Sequence, residues 1–192
     1  MVEITALEKR HARKGIGGSN PPASANFMQS LRNATLVFLI NRSETGTGDP
    51  GKISSICLAM KKRGFGVNRW NGAGGKVEQG ESVEEAAKRE VREEIGVEIE
   101  SLYKVAELSF FFPHNPAWDQ LGNVYFCEEW IGEPKESEEM RPAWFPVDAI
   151  PYKEMWPDDI FWLPRALDGN KIEASFTFGE GDKIISKKIN LK

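Results

Sequence analysis

The sequence contains little cysteine and no long apolar run. Only Cys57 and Cys127 are present among its 192 residues, and both lie in apolar, strand-like stretches. A disulfide framework or a cysteine metal site therefore has little support, and buried free thiols are expected. No apolar run approaches the roughly 18 residues that a membrane-spanning helix requires, so the sequence predicts no membrane contact.

The chain also lacks an excess of positive charge. Lysine and arginine number 25 against 29 acidic residues, a net charge of −4. General affinity for a nucleic-acid backbone is therefore not expected, although an acidic protein can bind a triphosphate when metal ions neutralise both sides. With 40% hydrophobic and 28% charged residues, the composition is that of a soluble globular protein, which we expect to be a monomer.

The first 32 residues differ from the rest of the chain. They are rich in basic residues and contain the linker-like run Gly-Gly-Ser-Asn-Pro-Pro-Ala-Ser at 17–24. We expect residues 1–32 to be a disordered extension and residues 33–192 to be one folded domain. Glu3 and Glu8 count against a mitochondrial targeting segment. We expect a cytoplasmic protein, with a mitochondrial or nuclear fraction left open.

Strand patterns dominate residues 33–192, with two helical segments among them. Ser82 and Glu85 have capping-box spacing, and Gly96 is a suitable residue to end the helix that Ser82 begins. The pattern predicts a mixed α+β fold: a mixed sheet with helices on its faces. Strands are expected at 35–40, 53–60, about 98–112, about 123–130, 144–147, 172–178 and 183–191, a second helix at 158–167, and long loops at 41–52, 61–74 and 113–122.

The first helix carries three glutamates at i, i+3 and i+4: Glu90, Glu93 and Glu94. They fall within an arc of roughly 100° that overlaps the apolar arc of the helix. That apolar arc is formed by Val83, Ala87 and Val91. Carboxylates that repel one another and are partly removed from water need a cation, and hard oxygen ligands suit Mg²⁺ or Mn²⁺. The alternative is an ordinary solvated helix face.

Residues 75–97 match, without a gap, the signature of the Nudix hydrolases. The matching positions are Gly75, Glu81, Arg89, Glu90, Val91, Glu93, Glu94, Gly96 and Val97. The resemblance implies an α/β/α sandwich that cleaves a diphosphate bond with the help of Mg²⁺ or Mn²⁺. It implies that Glu90, Glu93 and Glu94 bind metal, that one of these glutamates orients or deprotonates the attacking water, and that the Gly74 carbonyl is a further ligand.

Three further residues complete the expected catalytic machinery. A glycine turn, which contains Gly74 and Gly75, precedes the helix. We expect Arg89 to form an ion pair with Glu81 that ties this glycine turn to the helix and so supports the site. Glu139 matches a metal-binding glutamate of the resembling enzymes. On the sequence alone, Glu139 is read almost equally well as part of an acidic loop that spans 128–139.

Outside the signature, the chain resembles the animal MutT-homologue branch of the family, the oxidised-purine nucleoside triphosphatases. The matching stretches are Met60-Lys-Lys-Arg-Gly-Phe-Gly, Arg69-Trp-Asn-Gly, Glu139-Met-Arg-Pro, Trp144-Phe and Met155-Trp-Pro-Asp-Asp. The resemblance implies hydrolysis of 8-oxo-dGTP and 2-oxo-dATP to the monophosphate and pyrophosphate, which sanitises the nucleotide pool. It implies a base pocket formed by Thr35, Lys61, Phe65, Asn71, Phe110, Phe112, Met140, Trp156, Asp158, Asp159 and Trp162.

The chemistry of the central pocket residues suits an oxidised purine. Trp156 offers a face for stacking, and Asn71 can donate and accept hydrogen bonds. Asp158 and Asp159 repel each other, so one can stay protonated and donate, and moving that proton would admit two different bases. Without the resemblance, core packing of the tryptophan and helix capping by the aspartates are the plainer interpretations.

Some features depart from the resembling enzymes. Ala73 replaces a bulkier aromatic residue, the loops at 41–52 and 113–122 are longer, and His114 and Trp118 have no obvious counterpart. These differences concern the floor and the rim of the pocket, so a broader or shifted substrate preference is left open. Two alternative functions also stay open. One is a Nudix hydrolase for another nucleotide, such as a dinucleoside polyphosphate or a nucleotide sugar. The other is an inactive Nudix fold used for binding, against which the intact set of three glutamates argues.

Overall fold

A mixed sheet forms the centre of the computed structural model, which describes residues 31–43 and 51–192. The helices are α1 (Val83–Ile95) and α2 (Asp159–Leu167). The strands are β1 (Arg32–Arg42), β2 (Ile53–Lys61), β3 (Trp70–Asn71), β4 (Glu98–Ile99), β5 (Tyr103–Phe111), β6 (Gln120–Cys127), β7 (Trp130–Ile131), β8 (Met140–Pro146), β9 (Ile172–Phe178) and β10 (Ile184–Leu191). Short 3-10 helices lie at Pro116–Trp118, Val147–Ala149, Tyr152–Glu154 and Glu180–Asp182.

Eight of these strands form the main sheet, in the order β10-β9-β5-β6-β1-β2-β3, with β8 also paired to β2. The β1–β6 and β5–β9 pairs are parallel and the other pairs are antiparallel. The small β4–β7 pair is separate. The mixed sheet and the C-terminal hairpin formed by β9 and β10 are therefore confirmed.

The two helices cover opposite faces of the sheet. Along β1, Phe38 and Ile40 belong to the core cluster that contains Trp162 of α2, whereas Val37 belongs to the cluster that contains Val91 of α1. Because successive strand residues point to opposite faces, this alternation places one helix on each side. The α/β/α sandwich is confirmed.

The ends of α1 follow from local sequence. The Ser82 hydroxyl accepts a hydrogen bond from the Glu85 N–H at 3.2 Å, and the Glu85 carboxylate accepts one from the Ser82 N–H at 2.7 Å. Gly96 ends the helix in the left-handed conformation, with φ of 76°. The capping box and the glycine stop are both confirmed, and they fix the position of the glutamates along the helix.

The glycine turn is positioned by a gap in the sheet. Strands β1 and β2 pair only near Ile40 and Ile56, and the segment 70–76 fills the space beyond that point. On one side Asn71 pairs with β2, and on the other Val37 N–H donates to the Ala73 carbonyl at 2.7 Å. The expectation of a loop throughout 61–74 was therefore wrong at β3, because this short segment gains backbone partners on both sides.

Two other predicted strands are each divided in two. The stretch 98–112 forms β4 and β5, and the stretch 123–130 belongs to β6 and β7. The pair β4–β7 leaves the main sheet, and its partners are Glu98 with Ile131 and Ile99 with Trp130. The strand β6 also begins at Gln120, inside the expected loop 113–122, which contains a 3-10 helix at Pro116–Trp118. Periodicity alone does not show where a strand changes its partner.

The bounds of one strand and one helix in the C-terminal half also differ from the predicted bounds. The strand expected at 144–147 is β8, Met140–Pro146, which includes Pro142. This strand pairs only with β2, and an edge strand tolerates proline because its outer N–H groups need no partner in the sheet. The second helix begins at Asp159, and Asp158 occupies the preceding cap position.

Some predictions fall partly or wholly outside the described residues. Of the predicted disordered extension, residues 1–30 lie outside them, and so do residues 44–50 of the 41–52 loop. Cys57 and Cys127 are buried free thiols, as expected. Neither helix of the described ranges is long and apolar enough to cross a membrane.

Candidate active site

A cleft of about 680 Å³ brings together the glycine turn, one side of α1, the end of β5 and the start of α2. All eleven residues predicted for the base pocket line this cleft, and so do Gly74, Glu90, Glu94 and Glu139. Glu81, Arg89 and Glu93 are not among the lining residues. The size is that of an ordinary small-molecule site.

Glu94 is the most enclosed carboxylate of α1. It is 4% exposed, and its Oε2 accepts a hydrogen bond from the Gly74 N–H at 2.7 Å. Its Oε1 lies 2.9 Å from Lys61 Nζ. Burial raises the pKa of Glu94, although Lys61 and the Gly74 N–H both favour its charged form. Because Glu94 is buried and already pairs with the positive charge of Lys61, its carboxylate is suited to bind a divalent cation.

Glu90 occupies a space that exists because residue 75 is glycine. A β-carbon on Gly75 would lie 2.5 Å from Glu90 Oε1, which is closer than real contacts allow. The carboxylate therefore packs directly against the backbone of the glycine turn. Glu90 precedes Glu94 by one turn on the same side of the helix, and both line the cleft.

Arg89 connects the glycine turn to the helix. Its Nη2 and Nε lie 2.7 Å and 3.1 Å from the two carboxylate oxygens of Glu81, so the pair is bidentate. The same guanidinium donates to Glu90 Oε1 at 2.9 Å and to the Lys76 carbonyl at 3.2 Å. Hydrogen bonding to Arg89 lowers the pKa of Glu81. The predicted ion pair between Glu81 and Arg89 is therefore present, and it also orients Glu90.

Glu93 faces solvent in this structure. Its side chain is 58% exposed and lies 3.3 Å from Arg89 Nη1. Within residues 31–43 and 51–192, no three His, Cys, Asp or Glu side chains lie together as a ready-made metal cluster. A metal role for Glu93 stays a prediction, because its side chain would have to turn toward the cleft.

The donors at this end of the cleft fit a hard divalent ion. The carboxylates of Glu90 and Glu94 lie against a turn of bare glycine backbone, and Glu139 joins them through Lys61, whose Nζ lies 3.4 Å from Glu139 Oε2. Only oxygen donors are offered, which favours Mg²⁺ or Mn²⁺ over softer-ligand metals. These carboxylates, with Glu93 and the Gly74 carbonyl, are the residues that would hold the ion. When bound, it would supply charge neutralisation and a more acidic water.

Positive side chains line the same end. Lys61, Arg63 and Lys76 all border the cleft, and Arg63 forms an ion pair with Glu139. Hydrogen bonding to Arg63 lowers the pKa of Glu139, which keeps this carboxylate charged. The sequence analysis did not predict Arg63 and Lys76 as site residues, although Arg63 ends the run Lys-Lys-Arg and Lys76 directly follows Gly75 of the signature. Together these cations can attract a polyphosphate.

The other end of the cleft is aromatic. Phe65 stacks on Trp156 with ring centroids 5.0 Å apart, and the Arg69 guanidinium lies 4.3 Å from the Trp156 ring. Phe112 stacks on Phe178 at 5.0 Å. Phe178 was missed because the alternation of β9 marks it only as a core residue. This end of the cleft offers apolar ring surface to a flat heterocycle.

Two adjacent carboxyl groups lie among these rings. Asp158 and Asp159 are each 2% exposed. Asp158 Oδ2 accepts a hydrogen bond from Trp162 Nε1 at 3.1 Å, and Asp159 Oδ2 accepts one from the Trp156 N–H at 3.0 Å. Burial raises the pKa of Asp158 to about 7. Burial, and then repulsion from Asp158, raises the pKa of Asp159 well above its ordinary value. The pair therefore carries a proton near neutral pH, as the sequence predicted.

Asn71 presents a donor to the cleft. The Gly72 N–H donates to Asn71 Oδ1 at 2.9 Å, so the amide oxygen already has a partner. The amide NH₂ is the part left to donate to a ligand. Strand β3 places this side chain, because Asn71 pairs with Ala59 of β2.

The raised pKa values have a consequence for stability. Between its ordinary value of 3.8 and about 7, the Asp158 carboxyl binds a proton in the folded chain but not in the unfolded one. Stability therefore falls as the pH rises through this window. Asp158→Asn is neutral at every pH, so we expect it to raise the melting temperature at pH 8 by several degrees, at about 2–4 °C per kcal/mol for a domain of this size, and to lose most of this advantage at pH 5. Thermal unfolding at the two pH values measures this.

The exposed Asp168, at the other end of α2, is the matched control. Asp168→Asn should change the melting temperature equally at both pH values. An Asp158→Asn effect that is the same at pH 5 and pH 8 would show that the Asp158 carboxyl ionises as it does in water.

The sandwich of helices and sheet, with carboxylates and cations at one end of a cleft and rings at the other, is typical of hydrolases that cleave phosphoanhydride bonds with a divalent metal ion. Residues 30–166 match the NUDIX domain family. The chain belongs to the Nudix family, whose hydrolases need a divalent metal ion.

Two relatives agree with this assignment, and one solved structure shares the fold. Over 131 residues the chain is 46% identical to the oxidized purine nucleoside triphosphate hydrolase of Mus musculus, covering 68% of this chain and 83% of that protein. It is 41% identical over 141 residues to the enzyme of the same name from Danio rerio, covering 73% and 88%. A mutator MutT protein from Bacillus halodurans has the same fold, with a TM-score of 0.68 at 21% identity, over 83% of this chain and 98% of that one.

Proposed function

We propose that this chain hydrolyses oxidised purine nucleoside triphosphates, 8-oxo-dGTP and 2-oxo-dATP among them, to the monophosphate and pyrophosphate. The divalent ion in this proposal is Mg²⁺, for which Mn²⁺ can substitute. Removing such nucleotides would sanitise the nucleotide pool and avoid damage to DNA. The names of the mouse and zebrafish relatives support this substrate class.

The buried aspartate pair is the observation that carries the proposal. Aromatic rings alone are sufficient to bind any purine. Asp158 and Asp159 add two buried carboxyl groups beside Trp156 and Trp162, and burying a carboxyl group is energetically unfavourable. With a pKa of about 7 for Asp158, one carboxyl can be neutral and donate while the other is charged and accepts. Oxidation adds an N–H and a carbonyl to a purine. A charged carboxylate can accept a hydrogen bond from the N–H, and a neutral carboxyl group can donate one to the carbonyl.

The opposite end of the cleft suits the triphosphate. Glu90, Glu94 and Glu139 would hold the divalent ion next to the glycine turn, and Arg63 and Lys76 would offset the remaining phosphate charge. Gly74 and Gly75 line this end of the cleft, and their lack of side chains lets the turn pack closely against Thr35 and Glu90. A carboxylate of α1 then orients the attacking water and accepts its proton.

One assay tests the proposal. Pyrophosphate release is measured with 8-oxo-dGTP, 2-oxo-dATP, dGTP and a dinucleoside polyphosphate, each with and without Mg²⁺. We expect kcat/KM for the oxidised purines to exceed that for dGTP by about ten-fold or more, because the site pairs with groups that dGTP lacks.

Each other outcome rejects a part of the proposal. Equal cleavage of dGTP and 8-oxo-dGTP would contradict a sanitising role, and a preference for the dinucleoside polyphosphate would favour another branch of the family. No turnover of any nucleotide would leave a binding module as the function. The expected cytoplasmic location and monomeric state are further parts of the proposal, to be tested by fractionation and by light scattering.

A further inference from the structure

An aromatic row crosses the edge of the base pocket. Phe65 lies between Trp156 and Trp118, with ring centroids 5.0 Å from the first and 5.3 Å from the second. Phe65 and Trp156 line the cleft, whereas Trp118 is not a lining residue. Trp118 also meets Phe112, another lining residue, edge to face at 5.8 Å. Trp118 therefore supports the wall of the pocket from outside.

The Phe65 side chain packs against three other aromatic rings. It is 43% exposed and lies between Gly64 and Gly66, which have φ of 77° and 79°. The absence of a side chain at Gly66 lets the loop approach Trp156, because a β-carbon there would lie 3.2 Å from Trp156 Nε1. Glycines on both sides make the backbone permissive. The rings of Phe112, Trp118 and Trp156 are the ring contacts of Phe65 within the described ranges.

Trp118 lies in a turn that several hydrogen bonds hold in place. The Asn115 N–H donates to the Phe112 carbonyl at 2.7 Å, and the Trp118 N–H donates to the Asn115 carbonyl at 2.9 Å. The Asp119 carboxylate accepts a hydrogen bond from the Phe112 N–H at 2.7 Å. The Arg32 guanidinium donates to the Ala117 carbonyl. This turn is thus tied to the end of β5 and to the start of β1.

We propose that Trp118 is a positioning residue for base recognition: it holds the Phe65 ring against Trp156 and so sets the width of the pocket mouth. The proposal rests on the proposed function for the identity of the ligand, a purine nucleotide. It assigns a role to the connection between β5 and β6, which contains Trp118. The carboxylates of α1 have no contact with this aromatic row. Loss of the Trp118 side chain should therefore weaken base binding and leave the rate of the hydrolytic step unchanged.

The chain provides a matched control. Trp144 is as exposed as Trp118, at 39%, but stacks on Trp130 and does not line the cleft. The variants Trp118→Ala, Trp118→Phe and Trp144→Ala therefore separate loss of this contact from loss of any exposed tryptophan. The phenylalanine variant keeps an aromatic ring beside Phe65 and should restore most of the behaviour of the unmodified chain.

Two measurements on the full chain test the proposal. Trp118→Ala should weaken binding of 8-oxo-dGMP, and raise KM for 8-oxo-dGTP, by about three- to ten-fold, the usual value of one aromatic pair, while kcat stays within about two-fold. Limited proteolysis with chymotrypsin should release the fragment that ends at Phe65 several times faster. Trp144→Ala should change neither measurement.

The two measurements keep this proposal separate from the substrate assignment. Unmodified protein that binds no 8-oxo-dGMP would contradict the substrate assignment, and the proteolysis rate would still test whether Trp118 holds Phe65. Equal cleavage at Phe65 in Trp118→Ala and Trp144→Ala would overturn the proposal. So would a Trp118→Ala variant that loses kcat but keeps its KM.

Discussion

Glu94→Gln is expected to lower kcat by about 1,000-fold, because under the proposed function it removes a charge that would bind the metal ion and that could accept the proton of the attacking water. Glu94 is nearly buried and accepts a hydrogen bond from the glycine turn. Glutamine keeps the shape and can still accept that bond. Lys61 retains Glu139 as a partner, so the melting temperature should change by only a few degrees.

The measurement needs both kinetics and metal binding. Titration with Mn²⁺ should show affinity reduced by about ten-fold or more for Glu94→Gln, independently of turnover. Glu84→Gln is the matched control, since Glu84 is exposed on the same helix and does not line the cleft. Near-normal kcat in Glu94→Gln would exclude an essential metal or base role for this residue.

Asp158→Asn is expected to reduce the preference for 8-oxo-dGTP over dGTP by about 10- to 100-fold, because one charge-assisted hydrogen bond to the base is lost. Asparagine has nearly the same shape and can still accept the hydrogen bond from Trp162. It cannot exchange a proton with Asp159. The variant should therefore bind bases with one fixed arrangement of hydrogen-bond donors and acceptors, instead of two arrangements.

The ratio of kcat/KM for the two substrates is the quantity to measure. The Mn²⁺ affinity should remain unchanged, since Asp158 lies at the aromatic end of the cleft and has no contact with the carboxylates of α1. Asp168→Asn serves again as the control. An unchanged ratio in Asp158→Asn would reject the assignment of this pair to base recognition, even if turnover fell.

Glu94 and Asp158 differ in the sequence signal that predicts them as site residues. Glu94 is marked by spacing on a single helix, where the capping box at Ser82 and the glycine at 96 set its position from local sequence. Local interactions of this kind are the same in any fold. Asp158 carries no such mark, because an acidic residue before a helix is equally well explained as a cap, and only the resemblance to a family favoured the pocket.

Some contacts around the cleft could not be predicted from the sequence. Phe178 and Trp118 lie about sixty residues apart in sequence, and each meets Phe112, one as part of the wall and one as its support. Neither contact follows from periodicity, because the partners belong to different strands and loops. Glu93 shows the opposite case, in which a clear signature residue turns toward solvent and Arg89.

The sequence by itself determined the reaction class, the capped helix α1 with its glutamates, and the type of sheet, since helix signals, glycine turns and strand patterns act over a few neighbouring residues. Only the tertiary structure decided that segment 70–76 enters the gap between β1 and β2, that Glu94 rather than Glu93 is enclosed, and that Asp158 and Asp159 are buried with raised pKa values. The physical reason is that burial, and with it the cost of a charge, depends on residues brought together from distant parts of the chain.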